Sequence, residues 1–247
     1  SATHLMHEAL RSILGGHVAQ RGSLNDFKRT RFDFSHTKPL TDEEITQVEF
    51  IVNFYIRQNT KVDTRIMSQD EATAMGARAL FGEKYGDEVR VISMGKKENS
   101  GVDVSTESYS IELCGGTHVK RTGDVGNFKI ISETASASGV RRIECYTGEE
   151  AINYQISQEN TLKKVEGLLN VKRSDVMKRL KTLFDEKRKM QAEISNLKKK
   201  LAAGVERKGS DVSEVVKISD ISFVGKILDN VDINNLRELV DSYKKNL

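Results

Sequence analysis

The sequence predicts an α+β protein with a mostly antiparallel sheet, followed by a long helical hairpin and a truncated small α/β segment. Three observations lead to this prediction. Helical and strand periods alternate along residues 1–150, helical periodicity continues alone along 151–208, and a strand-and-helix pattern begins again in 209–247. We therefore place domain boundaries after residues 150 and 208, and we expect the last segment to be the start of a further, incomplete domain.

In the first domain, each element follows from its local pattern. Apolar side chains at helical spacing predict a helix at about 3–15, and Phe32 and Phe34 alternate with polar residues in a half-buried strand. Thr41 and Glu44 have the capping-box spacing that opens a helix. The other predicted elements are strands at 61–67, 89–94, 110–113, 126–133 and 140–146, a helix at 70–81, a hairpin loop or local insertion at 96–108, and a loop at 134–139.

The second domain is predicted to be helical throughout. Its pattern indicates one helix up to about residue 169, a turn at 170–174 and a second helix. In that helix, a heptad seam is apolar at seven of its eight positions, which are 176, 180, 183, 187, 190, 194, 197 and 201. Packing in an antiparallel hairpin would bury this seam, and so would packing against another subunit. Strands at 215–218 and 222–228 and a helix from about 232 are predicted in the last segment.

Composition restricts the class of protein. Two cysteines in 247 residues are too few for a disulfide framework and fit a reducing cytosol. No apolar run reaches the ~18 residues of a transmembrane helix, and the first residues do not resemble a secretory signal. The expected location is therefore the cytoplasm, with no membrane partner.

Charge is unevenly distributed behind the net value of +3. Residues 1–150 contain 19 Lys and Arg against 22 Asp and Glu, whereas residues 151–208 contain 15 against 7. Such a basic segment favours a polyanion such as RNA, because binding releases counterions from the phosphates. A solvated face of the helical hairpin would explain the same charges, so both interpretations stay open.

The strongest chemical signal is the segment Cys114-Gly-Gly-Thr-His118. Thiolate sulfur and imidazole nitrogen are ligands that Zn²⁺ prefers, and a tight glycine turn lets both reach one ion. A loop with a buried free cysteine and a surface histidine is the alternative that the spacing leaves open. A metal would need further ligands, and His4 and His7, one helical turn apart, are the candidates.

Seven blocks of the sequence follow one another in a fixed order. They are Ser1–His7, Gly16–Ser23, Arg31–His36, Ala79–Tyr85, Glu112–His118, Arg121–Asp124 and Gly139–Glu144. This series closely resembles the editing domain of bacterial alanyl-tRNA synthetases, and the resemblance extends over essentially the whole chain. Its most specific parts are Glu-Leu-Cys-Gly-Gly-Thr-His and Gly-Val-Arg-Arg-Ile-Glu.

The resemblance implies a zinc site made of a His-x₃-His pair and a Cys-x₃-His pair. Cys114 and His118 match the second pair, and His4 matches the second histidine of the first pair. The first histidine would stand directly before Ser1, so we expect the zinc site to be incomplete in this chain. His7 is not a ligand in the family pattern and is only a minor candidate.

The resemblance also implies hydrolysis of tRNA(Ala) mischarged with serine or glycine. A site sized for alanine rejects glycine or serine only weakly by binding, so a second, hydrolytic site is needed. No catalytic residue can be assigned, but six positions are candidates for binding the substrate: Thr3, Gln20, Ser23, Asp33, Gly116 and Arg141. The alternatives are a helix cap for Thr3, a polar turn for Gln20 and Ser23, and a structural ion pair for Arg141 or Arg142.

The implied partners are the acceptor end and body of tRNA(Ala), an upstream aminoacylation domain, and a second copy of the chain that binds through the hairpin or the last segment. The competing hypothesis is a module for RNA binding or oligomerisation. Its hydrolytic site would be inactive because the first zinc-ligand histidine is absent. Deacylation of Ser-tRNA(Ala) together with metal analysis separates the two hypotheses.

Overall fold

The computed structural model confirms the predicted α+β class. It describes residues 1–78, 86–98, 104–204, 216–219 and 221–223 and the single positions 225, 237, 240, 241 and 244. The chain divides into two compact units, Ser1–Asn160 and Thr161–Leu247. This division falls inside a helix, ten residues beyond the first predicted boundary, while the assignment of 1–150, 151–208 and 209–247 as domains stays a prediction.

The elements of the described chain include two large sheets, and both of these sheets lie in the first unit. In chain order, the elements are α1 (Ala2–Leu14), β1 (Gln20–Asn25), β2 (Thr30–Ser35), α2 (Asp42–Arg57), β3 (Asp63–Ser68), α3 (Gln69–Ala74), β4 (Glu88–Glu98), β5 (Val104–Leu113), a 3-10 turn (Thr122–Val125), β6 (Phe128–Ala137), β7 (Val140–Thr147), α4 (Gly148–Leu169), a second 3-10 turn (Arg173–Asp175), α5 (Val176–Gly204), β8 (Val216–Ile218) and β9 (Ile221–Phe223). Strands pair in the orders β1-β2-β7-β6 and β3-β4-β5, and every pairing is antiparallel.

One hydrophobic core joins the two sheets. Helices α1 and α2 pack against each other, and α1 also contacts β2 and β5. The core therefore takes side chains from both helices and both sheets, among them Leu5, Met6, Leu10, Phe32, Phe34, Val48, Val52, Ile92 and Met94. Helix α1 is buried so deeply that it encloses three polar side chains, Thr3 and the histidines His4 and His7. Its packing between the sheets brings these histidines to the end of β5.

Several boundaries differ from the prediction. The helix predicted at 70–81 ends at Ala74. It ends there because Gly76 has a positive φ of 74°, which an L residue rarely adopts. Positions 79–81 lie outside the described residues. The segment predicted at 96–108 as a hairpin loop or insertion belongs to a hairpin, but strand pairing extends into it from both ends, since Lys96 pairs with Ser108 and Glu98 with Val104 in the β4–β5 ladder. Polar residues can form such hairpin arms because a solvated strand needs no apolar face.

The β6–β7 hairpin also runs further than predicted. Its strands extend through most of the predicted 134–139 loop, and Ala137 pairs with Val140 around a turn in which Gly139 has a φ of 69°. Strand β1 was not predicted, because its residues are mainly polar; it forms the exposed edge of the four-stranded sheet. By contrast, the capping box of Thr41 and Glu44 is confirmed by both of its hydrogen bonds.

In the second unit, the predicted helix at 176–201 and the turn before it are confirmed. The seam residues Met190, Ile194 and Leu197 are each more than half exposed, and packing in a hairpin stays a prediction. Of the later predictions, β8 and β9 are confirmed in part, but most of the helix predicted from 232 lies outside the described residues. Among the described helices, none is long and apolar enough to cross a membrane.

Candidate metal centre

Three side chains that are distant in sequence meet beside α1. They are His4 on α1, Cys114 directly after β5, and His118 four residues later. One ligand atom from each lies within 4.8 Å of the others, which is close enough for all three to reach one ion. The structure thus brings together the three residues that the sequence analysis put forward as metal ligands.

The loop that carries Cys114 is held by Arg90 on the neighbouring strand β4. The Arg90 carbonyl accepts a hydrogen bond from the Cys114 amide at 3.0 Å. The Arg90 guanidinium donates to the carbonyls of Cys114 at 2.8 Å and of Gly116 at 2.6 Å. The Gly116 amide in turn donates to the Cys114 Sγ at 3.4 Å. Gly116, a candidate substrate residue, therefore lies beside the cluster, and Arg90 is a positioning residue that the sequence analysis missed.

Glu112 is the second residue that the sequence analysis did not single out. It is 1% exposed, and its two carboxylate oxygens accept hydrogen bonds from the Nδ1 atoms of His4 and His7, the latter at 2.8 Å. Because Nδ1 of His4 is engaged, its Nε2 is the nitrogen left for an ion. A carboxylate that holds the distal nitrogen of a ligand histidine is a recurrent feature of metal sites. Strand alternation was the available signal, since Glu112 and Cys114 are two residues apart and share one face.

The electrostatics of the cluster favour charged side chains despite their burial. Burial disfavours charge on His4, but hydrogen bonds to Cys114 and Glu112 raise its pKa to about 9. Burial likewise opposes ionisation of Glu112, yet its two histidine partners lower its pKa to about 2. The neighbouring imidazole rings of His118 and His4 lower the pKa of the Cys114 thiol to about 5. At neutral pH, the metal-free cluster therefore contains a thiolate, a carboxylate and an imidazolium.

The donor atoms fit a borderline-soft metal ion. The Nε2 atom of His118 is buried without a hydrogen-bond partner, while its Nδ1 lies 3.2 Å from the Ser1 Oγ. A cation bound by this nitrogen, the Cys114 thiolate and His4 would satisfy all three groups, and one sulfur with two nitrogens is a set suited to zinc. His7 lies outside the cluster, with its ring packed 5.4 Å from that of Phe32.

Three candidate substrate residues lie on α1 and β1. Thr3, the residue before His4, is buried and donates a hydrogen bond to the Asn25 Oδ1 at 3.1 Å. This hydrogen bond joins the start of α1 to the end of β1. It does not cap α1, whose N-cap is Ser1. Gln20 donates to the Ser23 Oγ at 3.2 Å. These two lie on an exposed strand, and the polar turn considered as their alternative is wrong.

The other charged candidates are engaged in ion pairs on the four-stranded sheet. Asp33 is buried and accepts two hydrogen bonds from Arg142, at 2.6 and 2.8 Å, which the register places directly opposite. Arg141 is paired with Glu133, to which its Nη2 donates at 2.6 Å. The sequence analysis expected one of the two arginines in a structural ion pair, and the structure shows both. Neither Asp33 nor Arg141 belongs to the metal cluster.

Comparison with known proteins places this cluster in a family context. Residues 89–144, which include Cys114 and His118, match the family described as threonyl and alanyl tRNA synthetase second additional domain. The chain is 52% identical over its whole length to the alanine–tRNA ligase of Dinoroseobacter shibae, and 49% identical to those of Jannaschia sp. and Ruegeria sp.. It spans 28% of the length of each relative. The predicted resemblance to alanyl-tRNA synthetases is confirmed.

Proposed function

Because the chain is homologous over its whole length to a part of the bacterial alanine–tRNA ligases, we propose that it hydrolyses the ester of tRNA(Ala) mischarged with serine or glycine. The observation that carries this proposal is the convergence of His4, Cys114 and His118 on one point inside the first compact unit. Its partners in this proposal are the acceptor end of tRNA(Ala) and the aminoacylation domain of the longer, cytoplasmic protein.

The cofactor of this proposal is zinc. His4, Cys114 and His118 would hold it, and a bound zinc ion supplies Lewis acidity at the ester. Glu112 keeps Nδ1 of His4 occupied and so fixes the orientation of the ring that presents Nε2. Arg90 holds the two carbonyls of the Cys114 loop, which keeps the thiolate aimed at the cluster.

Recognition of serine is assigned to the polar side chains of Thr3, Gln20 and Ser23. Thr3 is adjacent to His4 in α1, and its hydroxyl group already makes a hydrogen bond to Asn25 on β1. Gln20 and Ser23, which lie earlier in β1, would exchange their own hydrogen bond for one to the hydroxyl of a bound serine. Alanine has no such hydroxyl, so it offers these side chains no hydrogen bond in exchange for the one that they make to each other. This pairing makes serine the amino acid that the side chains favour.

Deacylation of Ser-tRNA(Ala), measured together with zinc content, tests the proposal. The chain loaded with zinc should hydrolyse the ester, and His4→Ala, Cys114→Ala and His118→Ala should each lower both the zinc content and the rate. His17→Ala is the matched control, because His17 is exposed and lies outside the cluster. Hydrolysis that persists after complete removal of zinc would contradict the metal-dependent form of the proposal.

The second candidate function is an RNA-binding module with an inactive hydrolytic site. It is favoured by the basic excess of residues 151–208, which contain 15 Lys and Arg against 7 Asp and Glu. The α-amino group of Ser1 is buried beside Cys114 and Glu112, and burial lowers its pKa. A residue attached to that nitrogen would start next to the cluster.

A variant with one histidine added before Ser1 separates the two functions. If only this variant hydrolyses Ser-tRNA(Ala), three ligands are insufficient and the editing proposal holds for the four-ligand site. If neither chain hydrolyses the ester, yet both bind tRNA(Ala) with a strong salt dependence, the RNA-binding module is the correct function. If both hydrolyse it at similar rates, the fourth histidine is dispensable.

A further inference from the structure

The hairpin of β1 and β2 presents an aromatic ring to solvent at its apex. The Asp26 carboxylate accepts hydrogen bonds from the amides of Lys28 at 2.8 Å and Arg29 at 2.7 Å, which closes the turn. Phe27, at the apex, is 88% exposed. A ring that is so exposed buries almost no apolar area on folding, so packing in the hydrophobic core does not account for a phenylalanine at this position.

The same hairpin is basic within an acidic unit. Residues 20–31 contain four Lys and Arg against one Asp, whereas residues 1–160 together contain 19 against 23 Asp and Glu. The ammonium nitrogen of Lys28 lies 5.5 Å from the centre of the Phe27 ring. An exposed ring beside a cation is suited to a partner that combines flat aromatic faces with negative charge.

The apex is linked to the metal centre through a single residue. Asn25 accepts hydrogen bonds from Thr3 at 3.1 Å and from Thr30 at 3.0 Å, so the base of the turn is fastened to the residue next to His4. Phe27 follows Asn25 by two residues, and two extended residues span at most about 7 Å. A polymer whose end lies at the metal centre therefore reaches Phe27 within a few monomers.

We propose that Phe27 is a stacking platform for a base of the single-stranded 3′ end of the RNA that delivers the ester, with Lys28 facing the neighbouring phosphate. This inference rests on the proposed function of the metal centre. Stacking on an aromatic ring is how proteins commonly hold unpaired RNA bases, since every base has a π-face. It gives the hydrolytic site a contact to the nucleic acid that is independent of the amino acid.

Fluorescence at the apex tests the contact without any reaction. The chain contains no tryptophan, so Phe27→Trp introduces a single tryptophan, whose emission is read at this position. A short single-stranded ribo-oligonucleotide with the sequence of the tRNA 3′ end should quench it in a saturable manner. Phe50→Trp is the matched control, because Phe50 is also exposed, at 66%, but lies on the acid-rich helix α2. An absent quench, or an equal quench at both positions, overturns the proposal.

Deacylation kinetics supply the second test. Phe27→Ala should raise the KM for Ser-tRNA(Ala) about 5- to 150-fold with kcat unchanged, the effect expected for one lost base stack. Phe27→Tyr should behave like the wild type, and so should Phe50→Ala. A small serine ester without nucleotides should be hydrolysed equally by wild type and Phe27→Ala. An unchanged KM for Phe27→Ala overturns the inference.

The outcomes distinguish this inference from the proposed function. If the wild-type chain does not hydrolyse Ser-tRNA(Ala) with or without the added histidine, the editing function fails, while the quench still decides whether Phe27 binds single-stranded RNA. If hydrolysis is normal but the oligonucleotide leaves the tryptophan at position 27 unchanged, only the inference fails. A wild-type dimer that dissociates in Phe27→Ala would assign the apex to a second copy of the chain and overturn it as well.

Discussion

Replacing Glu112 by glutamine removes the negative charge that two histidines share. The glutamine side chain keeps its shape but offers one acceptor and one donor, so either His4 or His7 faces an amide N–H group where it now faces a carboxylate oxygen. Glu112 is almost completely buried, and water cannot replace the lost acceptor. The variant should therefore bind zinc less tightly and unfold more easily.

The expected sizes follow from the contacts. Loss of a partner that orients a metal ligand typically weakens metal binding about 10- to 100-fold, which is about 1.4 to 2.8 kcal/mol. Removing the charge of one partner in a buried charge pair lowers the free energy of unfolding of the metal-free chain by about 3 kcal/mol. For a folded unit of this size, that lowers the Tm by about 6 to 12 °C.

Two measurements check these values, and one matched variant controls them. Zinc affinity is measured by competition with a chromophoric chelator, and the Tm by circular dichroism of the metal-free chain. Glu107→Gln changes an exposed carboxylate on the same strand β5, paired with Lys97 at 3.3 Å, and should leave both quantities unchanged. If Glu112→Gln lowers the Tm but leaves zinc affinity within twofold of the wild type, Glu112 does not orient His4 and the argument is wrong.

Three further predictions concern the cysteines, proton release and the core. In the metal-free chain, iodoacetamide should label Cys114, and zinc should protect it. Cys145 should stay unlabelled because burial raises the pKa of its thiol to about 12. Peptide mass spectrometry detects the labelled cysteine, and labelling of Cys145 in the native chain would refute this prediction. Near pH 7, zinc binding should release about one proton, because His4 is protonated in the metal-free chain whereas Cys114 is already a thiolate. Calorimetry in buffers of different ionisation enthalpy measures the number of protons released. Phe32→Ala should lower the free energy of unfolding, measured with urea, by about 3–5 kcal/mol because Phe32 is buried. Phe50 is exposed, and Phe50→Ala should lower it by less than about 0.5 kcal/mol. Similar losses for both variants would contradict the assignment of the core.

Local patterns in the sequence were sufficient for much of the fold. The strand at residues 30–35 was predictable because Phe32 and Phe34 alternate with polar residues, and α2 because Thr41 and Glu44 form a capping box. Each of these signals acts within a few residues, so neighbouring side chains decide the conformation. The pair Cys114 and His118 was recognisable for the same reason, since both ligands lie in one short loop.

Other features depended on residues that are far apart in the chain. The polar arms of β4 and β5 form strands because each supplies the hydrogen-bonding partner of the other, which no local pattern records. Arg141 and Arg142 both became ion-pair partners only when the sheet register placed carboxylates beside them.

The sequence by itself determined the α+β class, the two long helices that follow the sheets, three candidate ligand residues and the resemblance to alanyl-tRNA synthetases. Only the tertiary structure decided how the ligands are held. Glu112 lies 108 residues from His4 and 105 from His7, and it meets them because α1 is packed between the two sheets. The charges of the cluster follow from that packing, because burial and long-range contacts arise only when distant segments come together. The same holds for Phe27, which lies two residues after Asn25, the residue that is hydrogen-bonded to Thr3 on α1.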